Sequence, residues 1–226
     1  MFTARTSPRL TYRPVESTDE DFIWSLTLNH RDWRNFNVAH DAPPSKAFVA
    51  DWLKNMEEKS MLAAVASLPK DTNNPESAET PIGIVNMVGP APVTAAHGAS
   101  MFGLIILPEY QSKGLGTEIF NWAVWWQFEC ANMRRLELGV AKENEKAVHV
   151  YKKAGFQVEG CRREAKYYEG KYEDVYMMAL LAHEWREKRK GVVNGEIEVD
   201  GVGAFCSDEK ERRVTEEEMQ GQKDEK

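Results

Sequence analysis

Gln111-Ser112-Lys113-Gly114-Leu115-Gly116 is a Q-x-x-G-x-G segment between an apolar run over residues 99–107 and a second apolar stretch that continues to about residue 132. The first run reads as a strand in which Gly103 marks a bulge or a close backbone approach. The second reads as a helix whose Ile119, Phe120, Ala123, Val124, Trp126 and Phe128 are apolar nearly all round, so most of it must be buried. A helix start carries unpaired N–H groups and the positive end of the dipole. Gly114 and Gly116 lack a Cβ and let a phosphate reach the backbone, and Lys113 adds charge at the rim. The segment therefore reads as a pyrophosphate cradle, against the alternative of a glycine-containing turn with no ligand. The dinucleotide fingerprint G-x-G-x-x-G fails because position 119 is Ile, and no G-K-[ST] of a P-loop is present.

Strand and helix alternate outward from this point. Upstream, residues 10–15 predict a strand and Phe22, Ile23 and Leu26 a helix behind Ser17, Thr18 and Asp19. A further helix follows Pro43 and Pro44, with Ser45 as its cap and Phe48, Val49, Trp52, Leu53 and Met56 as its apolar face. Residues 61–68 and 81–88 predict buried strands around a polar loop. Downstream, residues 135–141 predict a strand and residues 143–153 a helix stopped by Gly155. Residues 157–168 and 172–181 predict a hairpin turning at Glu169 and Gly170. From Glu187 the composition shifts to charge runs and scattered glycines, so a folded domain over 8–189 and a charged, flexible tail over 190–226 are expected.

The 226 residues suffice for one well-filled α/β domain. With 29 Lys plus Arg against 36 Asp plus Glu, the net charge of −7 provides no global basic field, so neither nucleic acid nor an anionic membrane is an expected partner. No apolar run reaches the roughly 18 to 20 residues of a membrane span, and no apolar h-region follows Arg5 and Arg9, so a cytoplasmic location is expected. Cys130, Cys161 and Cys206 have neither metal-ligand nor C-x-x-C spacing, which points to ordinary thiols and to no metal.

The strand over 99–107, the Q-x-x-G-x-G segment, and the later Asn144, Ala147, Tyr151, Gly155 and Phe156 together resemble, in order and spacing, the GNAT superfamily of acyl-CoA-dependent N-acetyltransferases. Gly170, Asp174, Met177, Leu180 and Leu181 resemble its RimJ/RimL-type branch, and the likeness covers residues 8–186. It implies an α/β (α+β) fold with a twisted, mixed central sheet, flanked by helices, whose fourth and fifth strands splay apart to admit acetyl-CoA. By the same resemblance, backbone N–H groups near Ile106 and Leu107 bind the pantetheine and thioester. Those of Gln111, Ser112, Lys113, Gly114, Leu115 and Gly116 hold the pyrophosphate, and Asn144 binds the pantetheine arm.

Acyl transfer to an amine requires a neutral nitrogen, a stabilised oxyanion and a proton for the departing thiolate. At pH 7 a lysine-like amine is neutral in only about one part in 2,500, and an α-amino group in roughly a tenth. Tyr151 follows Asn144 by about two helical turns, so both project from one side of a helix. Its phenol either protonates the CoA sulfur, as the resemblance implies, or simply joins the apolar stripe of Ala147 and Ala154. Glu137, on the strand face opposite Leu136 and Leu138, is the candidate general base or water-positioner. The resemblance also implies acceptor contacts from the segment between the first two helices and from the last hairpin, where His30, Trp33, Asn35, Phe36 and Asn37, with Tyr167 and Tyr168, either frame a pocket or pack the domain edge. The expectation is an acetyltransferase that joins acetyl-CoA to a primary amine in a ternary complex, as a monomer or homodimer. The amine is a small molecule or amino acid; the alternatives are a protein N-terminus and a non-catalytic acyl-CoA-binding module.

Overall fold

A computed structural model describes residues 2–28, 32, 33, 36, 44–71, 74, 77–89 and 96–193. The elements run β1 (Thr11–Pro14), α1 (Glu20–Thr27), α2 (Lys46–Lys59), β2 (Ser60–Leu68), β3 (Thr80–Val88), β4 (Ala99–Ile106), α3 (Leu115–Trp125), β5 (Arg135–Ala141), α4 (Glu145–Ala154), β6 (Gln157–Tyr168), β7 (Lys171–Leu181) and α5 (Ala182–Val193). Met1–Arg189 forms one compact unit. The chain from 194 to 226, where most of the tail was expected, lies outside the described residues, and α5 carries the backbone to Val193.

The seven strands form one sheet in the order β1-β2-β3-β4-β5-β7-β6. Only β4 and β5 run parallel, so the sheet is mixed, as the resemblance implied. Period-two alternation gives it two apolar faces. On one, Ile23 and Leu26 of α1 and Val49, Leu53 and Met56 of α2 pack on Val65, Ile84 and Ile105. On the other, Ile119, Phe120 and Trp122 of α3, Val148 of α4 and Trp185 of α5 pack on Phe102, Ile106, Leu136 and Leu138. Each buried aromatic or aliphatic side chain here contributes about 1.5–3 kcal/mol by leaving water.

The Ser45 cap falls where the sequence put it, and Asn144 provides a second. Ser45 Oγ accepts from the Phe48 amide at 3.1 Å and starts α2, and Asn144 Oδ1 accepts from the Ala147 amide at 3.2 Å and starts α4. Phe48 itself departs from the expected apolar face and is 36% exposed. The long helix also differs: α3 ends at Trp125 and passes into one π-helical turn, Trp126–Cys130. Buried Gln127 in that turn donates its side-chain amide to Arg135 O at 3.1 Å, which ties the widened turn to the start of β5.

The feature that positions the site is the short contact between β4 and β5. Their pairing is limited to Ala99 with Arg135, Ser100 with Leu136 and Met101 with Glu137. Beyond it β4 stays on β3 as far as Ile106, and β5 stays on β7 as far as Ala141, so the two strands part from Phe102 and Leu138 onward.

Candidate active site

The split exposes a strand edge. Leu107 N–H donates to Ile82 O at 2.9 Å across to β3. By the alternation of an antiparallel ladder, the amides of Leu104 and Ile106 therefore turn the other way, into the split. This corrects the expectation for Leu107, whose amide is committed to the sheet, and leaves Ile106 as the available donor. A buried backbone N–H demands a partner, and an extended ligand carrying its own amide groups supplies one much as a further strand would.

At the end of β4, Gln111 N–H is also committed, to Pro108 O at 3.1 Å, so its backbone does not serve the cradle as expected. Its side chain bridges instead: Nε2 donates to Ile106 O at 3.0 Å and to Asp32 Oδ2 at 2.6 Å. Ser112 and Gly114 both adopt left-handed φ, 58° and 76°, and fold the loop into a concave turn before α3. The first bond within α3 runs from Glu118 N to Gly114 O. The amides of Leu115, Gly116 and also Thr117 are thus the orphan donors of the helix start.

Arg9 is a part of this loop that sequence reasoning missed. Its Nε meets Glu118 Oε2 at 2.6 Å and its Nη1 donates to Lys113 O at 3.2 Å. Burial pulls the Glu118 carboxyl upward, but hydrogen bonds from Ser7 and from the Arg9 amide and guanidinium outweigh it and leave the group below its ordinary value. Because the peptide is planar and trans, fixing Lys113 O toward Arg9 turns the Gly114 N–H to the opposite side. Arg9→Ala is expected to raise KM for acetyl-CoA by about tenfold while kcat at saturation holds. Unchanged KM in steady-state kinetics would sever Arg9 from the cradle. Residues 9 and 118 are far apart in the chain, so no local signal could have joined them.

Tyr151 stands on the α3–α4 side of the split. Its ring lies 5.0 Å from Phe120, 6.1 Å from Phe156 and 6.4 Å from Phe102, the first β4 residue beyond the pairing with β5. Burial among these rings pushes its phenol up to about 12, so the hydroxyl keeps its proton at neutral pH. Glu137 stands on the other face. It pairs with Met101, two residues before Gly103 on the same side of β4. Its Oε1 accepts from Arg135 Nε at 2.5 Å, and Arg135 also holds Glu159, whose carboxyl that contact keeps below the usual range.

Gly103 is where the strand needs a bare backbone. A Cβ there would stand 2.9 Å from Phe36 Cε2, so the Phe36 ring lies directly on β4. Trp33 and Phe36 both meet Trp52 edge-on, at 4.9 and 5.5 Å, forming an aromatic wall over the face that Glu137 shares. The ring partner of Tyr167 is Tyr172 across the hairpin, at 5.1 Å, and Tyr168 pairs with Lys171 at the hairpin end. His30, Asn35 and Asn37 lie outside the described residues. Among the described residues no group of three His, Cys, Asp or Glu side chains could hold a metal, and no helix is long and apolar enough to cross a membrane.

The mixed sheet with its parting fourth and fifth strands is the fold that the resemblance implied, and comparison with known proteins agrees on the family. The family profile for the acetyltransferase (GNAT) domain matches residues 9–157. Spermidine N(1)-acetyltransferase of Escherichia coli K12 is 37% identical over 108 residues, which are 48% of this chain and 56% of that enzyme's length. The Vibrio cholerae spermidine N(1)-acetyltransferase is 36% identical over 175 residues, 76% of this chain and 93% of that one. The crystal structure of the Vibrio cholerae enzyme in complex with CoA and spermine superposes with a TM-score of 0.66 at 28% identity, covering 80% of this chain and 99% of that chain. The expected fold and family accord with these findings. This chain belongs to the GNAT acetyltransferase family.

Proposed function

We propose that this chain moves the acetyl group of acetyl-CoA to a primary amine of a spermidine-like polyamine, by direct attack in a ternary complex. The observation that carries the reading is the placement of Tyr151 and Glu137 on opposite sides of the point where β4 and β5 part. The relatives named for spermidine support the choice of amine. So does the chemistry of the acceptor side, where aromatic Trp33, Phe36 and Trp52 suit methylene chains and the Glu137 and Asp32 carboxylates suit cationic nitrogen.

In this mechanism the thioester lies along the β4 edge with its carbonyl oxygen toward the Ile106 amide. The amine approaches from the aromatic side and loses its proton to water ordered by Glu137. Nitrogen attacks the thioester carbon, the oxyanion collapses, the C–S bond breaks, and Tyr151 supplies the proton that the sulfur takes. A phenol raised to about 12 is a weak acid toward a free thiolate. Loss of hydration in the same apolar site raises the departing thiol as well, so donor and acceptor stay matched. Asn144, already the α4 cap, contributes its remaining amide group to the pantetheine arm.

Comparing kcat/KM for spermidine and spermine with that for amino acids and N-terminal peptides tests the reading. A preference of at least about tenfold for the polyamines is expected. Equal or better turnover of peptides would instead make the chain a protein N-terminal acetyltransferase. We place the protein in the cytoplasm, a reducing compartment in keeping with the exposed thiols of Cys130 and Cys161. Monomer or homodimer remains our proposal, although one Vibrio cholerae relative forms a dodecamer, and light scattering on this chain decides between them. The catalytic domain is taken as residues 8–189, with the charged C-terminal residues as an appendage. Removing residues 194–226 should leave kcat and KM within about twofold, and loss of CoA binding would contradict this.

A further inference from the structure

Among the described residues, three buried side-chain atoms have no hydrogen-bond partner: Asn86 Oδ1, Ser100 Oγ and Gln127 Oε1. Gln127 lies in the π-helical turn and already uses its amide nitrogen on Arg135 O. Ser100 stands where β4 still pairs with β5, on the strand face of Phe102 and Ile106, away from the acceptor. Asn86 differs from both. It pairs with Ala63 on β2 and with Gly103 on β4, so its side chain emerges on the face where Phe36 covers Gly103. Its neighbours on that face are Ala63, Val65, Ile84 and Ile105, all apolar. A lone carbonyl oxygen in such a row costs desolvation with nothing in return from the described residues.

We propose that Asn86 Oδ1 accepts a hydrogen from the incoming amine and so positions its nitrogen at the mouth of the split. This rests on the reading of the chain as an amine acetyltransferase and adds the group that recognises the reacting nitrogen itself. An N–H donor is the partner such an oxygen requires, and Asn86 stands one strand from Gly103, just past the point where β4 leaves β5. A neutral amide is also the suitable acceptor chemically. A carboxylate at this position would stabilise the ammonium form and lower the fraction of nucleophilic amine, whereas an amide orients the nitrogen without that penalty.

Two variants test this with steady-state kinetics, calorimetry and thermal melts. Asn86→Leu, similar in volume, is expected to raise KM for the amine by tenfold or more, to leave CoA affinity unchanged, and not to lower the melting temperature, because it removes an unsatisfied buried atom. Asn86→Asp is expected to lower KM for a cationic amine, lower kcat, and shift the kcat–pH profile toward higher pH. Wild-type amine KM in Asn86→Leu would overturn the inference, as would a parallel loss of melting temperature, CoA affinity and amine affinity, which marks a packing residue. If Asn86→Leu does not fold, an unchanged pH profile and KM in Asn86→Asp would overturn it. Wild-type protein that binds CoA but releases none with any amine would overturn the functional reading and this inference with it, an outcome visible before either variant is made.

Discussion

Tyr151→Phe is expected to lower kcat by something on the order of 10² to 10⁴, with CoA affinity nearly unchanged. The substitution keeps the ring and its contacts with Phe102, Phe120 and Phe156, and removes only the hydroxyl. A tyrosine that merely packed there would give a different result, at most about 1 kcal/mol of stability with turnover per folded molecule intact. A thioester with a better leaving group should recover the variant disproportionately, because it needs the proton least. The phenol also sets a pH signature. Its value in the fold, about 12, lies above its ordinary 10.0, so the folded protein holds this proton more tightly than the unfolded chain. The associated stability is complete below pH 10 and lost as pH rises from about 10 to 12, and Tyr151→Phe should remove that alkaline loss from the melting curve. Over pH 7–9 the phenol stays protonated, so kcat/KM should climb with the deprotonation of the amine, with no falling limb from Tyr151. Wild-type turnover in the variant on a verified acceptor, with chemistry rate-limiting, would remove Tyr151 from the reaction.

Gly116→Val is expected to weaken CoA binding by at least about tenfold, through overpacking of about 1–3 kcal/mol. The sequence suggests that a side chain at 116 would crowd the pyrophosphate directly. In the fold, a Cβ at Gly116 points to Ile106 Cδ1 at 3.1 Å. Alanine can be accommodated by a small shift of that flexible methyl, so Gly116→Ala should lose little. The extra branches of valine must displace Ile106 itself, the residue whose amide faces the split, and disturb cradle and strand edge together. Calorimetry with CoA is the direct check, and a folded Gly116→Val protein with the original Kd would dissociate this glycine from donor binding.

What could be read from the sequence was local. The glycine turn before α3, the Ser45 cap, the turn at Glu169 and Gly170, and the strand face of Glu137 each depend on residues a few positions apart, where turn chemistry and period fix the outcome. What could not be read depended on register between distant strands. The commitment of the Leu107 amide requires knowing which β4 residues bond to β3. The contact of Arg135 with Glu159 needs β5 and β6 aligned on either side of β7. Gly103 shows both sides of this boundary: its role as a close approach was legible, while its partner, Phe36, was not.

The most direct measurement is a reaction of the purified chain, residues 1–226, with acetyl-CoA and spermidine, following free thiol and the mass of the amine product together. Release of CoA matched by a monoacetylated polyamine, and reduced by at least about a hundredfold in Tyr151→Phe, is the expected result. Tight CoA binding with no thiol release above background hydrolysis, on spermidine, spermine or any other primary amine, would contradict it and make the chain an acyl-CoA-binding module.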